Sequence, residues 1–365
     1  MKIDFLRLFF RFYLRKRTSK KSKKIDMSKV NRILVISNTA IGDTLFATSS
    51  IKLIKKNFPE KKLITILNPK NFELFETDPN IDKIELYNGK WSNFFSTVRK
   101  LKKHNIDLTF IMNSNEPQAT PLSYLIGSKY IIRVPNNRNE FNHLHINPKL
   151  ARNYSKHTIN TRLKQLEFID IFEEDYNMYL YPKPHWYENV KTFFDDPELV
   201  NVGLQAGAST KSRMWENDNW VHLAKQLLDY DPRIRLILTG SKVDENLTSN
   251  IQLQIDSNRV LNLAGKFSLV GAAALIDSLD ILITPDTGPL HIAGAMNTPT
   301  VAFSVAGKAL SSKPVSIDIP HVFIQKPQTC SPCIDKRCLN AFCMDQITVD
   351  EVFKNVVKIL EKRCQ

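Results

Sequence analysis

Apolar runs of about six residues alternate with stretches of helical periodicity along most of the chain. In the first half, strand patterns lie at 32–37, 62–67, 106–112 and 129–134, and helical patterns lie at 43–57, 91–104 and 158–172. Strands that are apolar throughout and alternate with helices are typical of a parallel sheet covered on both faces. The first half is therefore predicted to be an α/β domain.

A second α/β domain follows a proline-containing link at 177–199. Beyond it, strand patterns lie at 199–205, 233–240, 260–265, 279–284 and 300–305, and helical patterns lie at 217–228, 243–255, 268–277, 288–296 and 348–362. The pattern favours two doubly wound domains that face a cleft, because ligands of such sheets bind at the carboxyl ends of the strands. The predicted division is an arm at 1–30, a domain at 31–180 and a domain at 181–365.

The net charge of +14 is concentrated at one end of the chain. Residues 1–32 hold 12 basic and two acidic residues, whereas the other 333 residues hold 39 basic and 35 acidic ones. The body is thus nearly neutral, which argues against nucleic acid as a partner. With 365 residues and 42% hydrophobic residues, the body has enough apolar material for two packed cores.

The arm begins MKIDFLRLFFRFYLRKRTSKKSKK, in which aromatic clusters alternate with arginines. It lacks the run of about 20 apolar residues that a spanning helix needs, and it lacks the uncharged core of a signal peptide. Its pattern is typical of an amphipathic helix on an anionic membrane surface. The alternative is a helix that packs on the protein's own body.

The stretch TPDTGPLHIAGA (284–295) places polar residues between a predicted strand and a predicted helix. Asp286 or Thr287 can cap that helix, and Gly288 leaves room for a ligand to approach the backbone. Free amides at a helix N-terminus bind anions. The stretch is therefore either an anion site or a well-capped helix that binds nothing.

A similar turn in the first half holds Gly42 and Asp43 just after the strand at 32–37. Asp43 is either the N-cap of the next helix or a carboxylate that acts as a general base.

Further polar residues follow two strands of the second half. Lys211 and Arg213 lie in a turn after Gly207, where a cation suits a phosphate or a leaving group, although both could be solvated surface charges. Asp244 and Glu245 follow the next strand, where acids often hold ribose hydroxyls but also cap helices.

Four stretches together resemble one family: ILVISNTAIGDTLFATSSIKLIKKNFP, GLQAGASTKSRMWENDNWVHLAKQL, ILTGSKVDE and ILITPDTGPLHIAGAMNTPTVAFSVAG. Over about residues 31–350 the chain is similar to glycosyltransferase family 9, the heptosyltransferases. The resemblance implies a GT-B fold of two Rossmann-like domains. It also implies an inverting transfer of heptose from ADP-heptose to the lipopolysaccharide inner core or a related envelope glycan.

The resemblance also implies roles for single residues. Asp43 would be the catalytic base and Arg213 a catalytic cation, and Thr39 and Gly42 would lie on the acceptor side. The donor would be bound by the 181–365 domain, with residues Gly207, Ser209, Lys211, Asp244, Glu245, Asp286, Thr287, Gly288 and His291. The chain departs from the family pattern at Ser37, where the family often has a basic residue, and at Glu216, where it usually has proline.

The expected partners and location follow from the same resemblance. They are a nucleotide-sugar donor, a lipid-linked glycan acceptor and an anionic membrane at the cytoplasmic face of the bacterial inner membrane. A diphosphate site made of backbone amides needs no metal, so no cofactor is expected. Other possibilities are transfer of a different activated sugar by the same fold and a nucleotide-sugar binding protein without turnover.

Within 330–343, the thiols of Cys330, Cys333, Cys338 and Cys343 follow the spacing C-x2-C-x4-C-x4-C. Thiols this close could hold zinc or iron, could be reduced structural thiols, or could form disulfides.

Overall fold

The computed structural model describes residues 2–18, 24–114, 117–133, 140–146, 157–305, 311–316, 318–330, 338 and 342–363. The chain forms two compact units, Met1–Tyr181 and Pro182–Gln365. Each unit contains one parallel sheet with helices between its strands. The prediction of two parallel α/β domains is confirmed.

The sheet of the N-terminal unit has the strand order β3-β2-β1-β4-β5. Its strands are β1 Arg32–Ser37, β2 Lys62–Leu67, β3 Lys83–Leu86, β4 Leu108–Asn113 and β5 Tyr130–Ile132. Its helices are α1 Lys2–Leu14, α2 Ile41–Asn57, α3 Phe72–Phe75, α4 Phe94–Lys102, α5 Ala119–Leu125 and α6 Asn160–Leu166. The chain leaves β1 first toward β2 and later toward β4, so the carboxyl end of β1 is the switch point at which such sheets bind ligands.

The sheet of the C-terminal unit has the strand order β11-β10-β9-β6-β7-β8. Its strands are β6 Val200–Gln205, β7 Ile234–Thr239, β8 Val260–Asn262, β9 Ile281–Pro285, β10 Thr300–Ser304 and β11 His321–Gln325. Its helices are α7 Asn217–Tyr230, α8 Glu245–Ile255, α9 Leu269–Asp277, α10 Gly288–Met296 and α11 Val349–Arg363. Here β6 is the switch strand, because β7 pairs on one side of it and β9 on the other.

The strand cores are buried on both faces, as β1 and β2 illustrate with five consecutive buried residues each. The arm helix α1 contributes to the core of the N-terminal unit through part of its surface. Among the described residues, no helix combines the length and apolar character needed to cross a bilayer.

Candidate active site

Asp43 lies where the switch strand β1 of the N-terminal unit ends. Helix α2 begins at Ile41 with Ala40 as its N-cap, so Asp43 is the third helical residue. The alternative in which Asp43 is the N-cap is therefore wrong. The side chain is partly exposed to solvent and is available to a substrate.

Two neighbours orient the Asp43 carboxylate. The Thr39 hydroxyl donates to Asp43 Oδ2 at 3.1 Å, and Arg162 Nη2 lies 3.6 Å from Asp43 Oδ1. Arg162 is itself buried, and its Nη1 donates to the carbonyl of Thr158 at 2.9 Å. Its guanidinium also lies 5.4 Å from the ring centroid of Phe46. A side chain held at both ends of its guanidinium keeps its charge beside the carboxylate in one geometry.

Arg162 is absent from the residues that sequence reasoning assigned to the site. It belongs to a helical pattern far along the chain from Asp43, and no spacing rule links the two. Its burial marks it, because charged side chains are seldom fully buried unless they are paired, but burial cannot be read from this sequence pattern.

The loop before α2 is held by side-chain amides. Asn71 Nδ2 donates to the Thr39 carbonyl and to the Thr44 hydroxyl, both at 3.2 Å. Asn38 Nδ2 donates to the Tyr87 carbonyl at 3.1 Å. These bonds fix the backbone from which Thr39 and Asp43 project.

In the C-terminal unit, Asp286 directly follows β9, and α10 begins at Gly288. Thr287 occupies the N-cap position, but its side chain makes no cap hydrogen bond, and its hydroxyl lies 3.1 Å from that of Thr284. Of the two candidate caps, Thr287 is therefore the N-cap residue, but it caps the helix without a side-chain hydrogen bond. Apart from its chain neighbours and the backbone of its own helix, no described protein atom lies within 4 Å of where a Cβ on Gly288 would sit. The start of α10 thus offers backbone amides beside open space, which is the arrangement that binds anions.

Arg213 and His291 both face Asp286. Arg213 Nη1 donates to the Asp286 carbonyl at 3.0 Å and lies 3.9 Å from Oδ2, while His291 Nε2 lies 3.9 Å from Oδ1. Burial raises the pKa of the Asp286 carboxyl, and the Arg213 charge opposes that rise. Two of the predicted residues are outside this cluster: Ser209 and Lys211 are exposed, and their side chains have no hydrogen bond or ion pair within the described part of the chain.

A buried tryptophan fixes the segment that carries Arg213. Trp215 Nε1 donates to the carbonyl of Ile347 at 2.9 Å, and its ring packs 5.3 Å from that of Trp220. Arg213 therefore projects from an anchored turn.

Gly207, Asp244 and Glu245 meet at the neighbouring strand ends. Asp244 Oδ2 accepts hydrogen bonds from the amide and hydroxyl of Ser241, at 2.8 and 2.7 Å, in a capping box. A Cβ on Gly207 would overlap the other oxygen of Asp244, and a Cβ on Gly265 would overlap Glu245 Oε1. Only glycine at these turns lets the acids approach the backbone. The structure thus brings together residues that the sequence placed on separate turns.

A cavity of about 430 Å³ opens beside Glu245, between α8 and the segment 260–266 that contains β8. Polar and apolar groups share its lining, which consists of Phe193, Glu245, Ser249, Gln252, Val260, Leu261, Asn262, Leu263, Ala264 and Lys266. Its volume lies within the range of sites for small organic ligands.

The cysteine stretch lies only partly within the described residues, because Cys333 falls outside them. Cys330, Cys338 and Cys343 are free thiols, and burial raises the pKa of Cys343. In the described ranges, no three His, Cys, Asp or Glu side chains are placed to hold a metal ion. A metal held by all four cysteines stays a prediction.

Comparison with known proteins identifies a family and a fold. The family model for glycosyltransferase family 9 (heptosyltransferase) matches residues 95–342. The lipopolysaccharide core heptosyltransferase OpsX of Haemophilus influenzae is 22% identical over 285 residues, which cover 77% of this chain and 81% of that protein.

Two solved structures share the fold. The family 9 glycosyltransferase of Veillonella parvula has a TM-score of 0.76 at 16% identity and covers 93% of this chain and 100% of its own. The ADP-heptose lipopolysaccharide heptosyltransferase II of Escherichia coli has a TM-score of 0.69 at 16% identity, with 92% and 100% covered. These likenesses confirm the predicted GT-B fold.

Proposed function

Because the chain belongs to glycosyltransferase family 9, the heptosyltransferase family, we propose that it transfers heptose from ADP-heptose to the lipopolysaccharide inner core or a related envelope glycan. The protein is a glycosyltransferase. The donor and the class of acceptor are those that the names of its relatives give, and we infer them for this chain from that similarity.

The C-terminal unit binds the donor in this proposal. The donor diphosphate occupies the open N-terminus of α10, with Gly288 giving access and Arg213 supplying positive charge. The nucleoside extends into the cavity beside Glu245, which accepts hydrogen bonds from ribose hydroxyls.

The N-terminal unit supplies the base. The acceptor hydroxyl attacks the anomeric carbon of heptose as its proton passes to the Asp43 carboxylate. The bond from that carbon to the diphosphate oxygen breaks, and its electron pair leaves with ADP. A single displacement of this kind inverts the configuration at the anomeric carbon. Thr39 and Arg162 hold the carboxylate in place during the proton transfer.

One observation carries the proposal: a helix N-terminus without a side-chain cap lies beside an arginine that is anchored by its neighbours. That pair can stabilise a departing diphosphate without a metal ion. No cofactor enters the proposed reaction.

The place of action is also part of the proposal. A lipid-linked acceptor is presented at a membrane surface, and we place the enzyme at the cytoplasmic face of the bacterial inner membrane as a peripheral protein. The charge of residues 1–32 supports this placement.

A donor screen tests the function. Purified protein is incubated with a heptose-deficient lipopolysaccharide acceptor and with ADP-heptose, UDP-sugars or GDP-sugars, and nucleotide release is measured together with product mass. Acceptor-dependent release of ADP alone, with a heptose added to the acceptor, is the expected result. Nucleotide release from another donor would show that the protein transfers a different sugar. Donor binding without nucleotide release would show that it is a nucleotide-sugar binding protein.

A further inference from the structure

Helix α1 is attached to the N-terminal unit by one side only. Leu6, Phe10 and Leu14 recur every four residues and form its inner face, of which Phe10 and Leu14 are fully buried. The Phe10 ring packs 5.6 Å from that of Trp91 and 5.2 Å from that of Phe94. This inner face therefore packs on the protein's own body, as the second of the two alternatives for the arm predicted.

The opposite side of α1 is apolar as well, and it is uncovered. Phe5, Leu8 and Phe12 are 71%, 64% and 85% exposed, and Phe9 and Tyr13 are also exposed. The intervals of three, four, seven and eight residues from Phe5 place these side chains on one helix face. A continuous apolar stripe of five side chains on a solvent-exposed surface marks an interaction site.

Basic side chains border the stripe. Arg7 and Arg11 lie 3.0 and 3.8 Å from Glu140, which fixes them along one flank of the helix. Residues 15–17 are all basic and exposed, and the chain has no acidic residue between Asp4 and Asp26. A neighbouring helix extends the surface: Phe95 on α4 is also exposed, and its ring lies 6.3 Å from that of Phe10.

We propose that the outer face of α1, together with Phe95, docks onto an anionic lipid surface while the inner face holds the helix on the N-terminal unit. An apolar stripe framed by cations matches the interface of a bilayer with anionic headgroups, where aromatic rings enter the acyl boundary and arginines meet phosphates. The occupant is a lipid surface because its charge complements the +10 of residues 1–32.

This inference rests on the proposed function in one respect, since a lipid-linked acceptor gives the docking its purpose. A helix with a buried inner face cannot swing freely. The N-terminal unit, with Asp43, is therefore held in a set orientation to the bilayer.

The test uses substitutions in the full chain, because deletion of α1 would uncover Trp91 and Phe94. The variant Leu8→Ser removes an exposed leucine from the outer face, and Leu253→Ser removes one that is 79% exposed on α8 of the C-terminal unit. Co-sedimentation is measured with vesicles of phosphatidylcholine mixed with phosphatidylglycerol and with vesicles of phosphatidylcholine alone, at low and high salt.

Wild-type protein is expected to bind the mixed vesicles and to release them as salt is raised. Leu8→Ser should weaken vesicle binding by about tenfold, and a further Phe12→Ser should weaken it again by a similar factor, since each removes a side chain that enters the apolar boundary. Leu253→Ser should bind like wild type. Thermal unfolding should be the same for all four proteins.

Equal vesicle binding by Leu8→Ser and wild type, or no binding by wild type at low salt, overturns the proposal. A change of oligomeric state in Leu8→Ser, measured by analytical ultracentrifugation, would assign the face to a second copy instead. Transfer to a detergent-soluble acceptor without vesicles should be unchanged in Leu8→Ser. That assay separates failure of the docking from failure of the proposed activity.

Discussion

Removal of the Arg213 charge tests the donor site most directly. Arg213→Met keeps the aliphatic stem of the side chain but removes the guanidinium that faces Asp286. Two consequences are expected: the buried carboxylate loses its cationic partner, and the diphosphate loses a charged hydrogen bond.

The magnitude follows from the geometry. At 3.9 Å between Arg213 Nη1 and Asp286 Oδ2, and with an effective dielectric constant of about 20, the attraction is about 4 kcal/mol. The Arg213 side chain is 28% exposed, so screening by solvent reduces the expected loss in free energy of unfolding to about 2 kcal/mol. Loss of a charged hydrogen bond to the diphosphate should weaken ADP binding by about 10- to 100-fold.

The stability defect should depend on pH. Burial raises the pKa of Asp286, and removal of Arg213 raises it further. Between the unfolded and the folded pKa, the folded state holds a proton that the unfolded state has lost, so stability increases as the pH falls through the folded pKa. The difference between variant and wild type should therefore shrink from pH 7.5 toward acid pH.

Urea denaturation and ADP calorimetry measure the two effects, and Arg259→Met is the matched control. Arg259 precedes β8 and donates to the carbonyls of Leu228, Asp231, Pro232 and Ile234, so its loss should lower stability without changing ADP affinity. Adding Asp286→Asn to Arg213→Met should restore stability but leave ADP binding weak. Wild-type stability together with wild-type ADP affinity in Arg213→Met would refute the reasoning.

Four further experiments examine the remaining features. Asp43→Asn should lower transfer by about 10²–10⁴-fold with ADP affinity unchanged, as measured by turnover and calorimetry; near-normal turnover would remove it from the mechanism. Arg162→Met should lower kcat by about tenfold without weakening ADP binding, and Arg162→Lys should recover part of the loss in the same kinetic assay. Gly207→Ala should cost about 1 kcal/mol in urea denaturation by displacing Asp244 from its capping box, and the cost should vanish in an Asp244→Ala background. Burial lowers the pKa of His321 to about 4, so between pH 7 and pH 5 only the unfolded state takes up a proton. The free energy of unfolding of the wild type, measured by urea denaturation, should therefore fall by about 2 kcal/mol over this range. His321→Gln should lose less.

Strands buried on both faces were predictable, and so were the edge strands β5 and β8, whereas the edge strands β3 and β11 were not. The bounds of β1 and β2 agree with the apolar runs at 32–37 and 62–67. The edge strands β3 and β11 escaped prediction because their side chains are half-exposed and their sequences, KIEL and HVFIQ, contain no uniformly apolar run. An edge strand has one paired neighbour and needs less burial.

The candidate site divides in the same way. Asp43 and Asp286 were singled out because each lies between an apolar strand and the first turn of a helix with a glycine nearby, a pattern that is local in sequence. The partnership of Arg162 with Asp43 was not predictable, because it depends on the packing of α6 near α2. Local patterns therefore located the strand ends, and tertiary packing decided which side chains meet there.

The start of α10 shows why N-cap preference alone did not predict which side chains bond the helix amides. Asp and Thr are strong N-cap residues, and on preference alone one of their side chains would bond the helix amides. In the same unit Ser268 does so at α9, where its hydroxyl accepts from the Gly271 amide at 3.3 Å. At α10, Arg213 and His291 face Asp286, and the Thr287 hydroxyl instead meets that of Thr284. A missing cap typically costs about 1 kcal/mol, and a helix end that bears this cost retains amides for an anionic ligand, as the proposed diphosphate site requires.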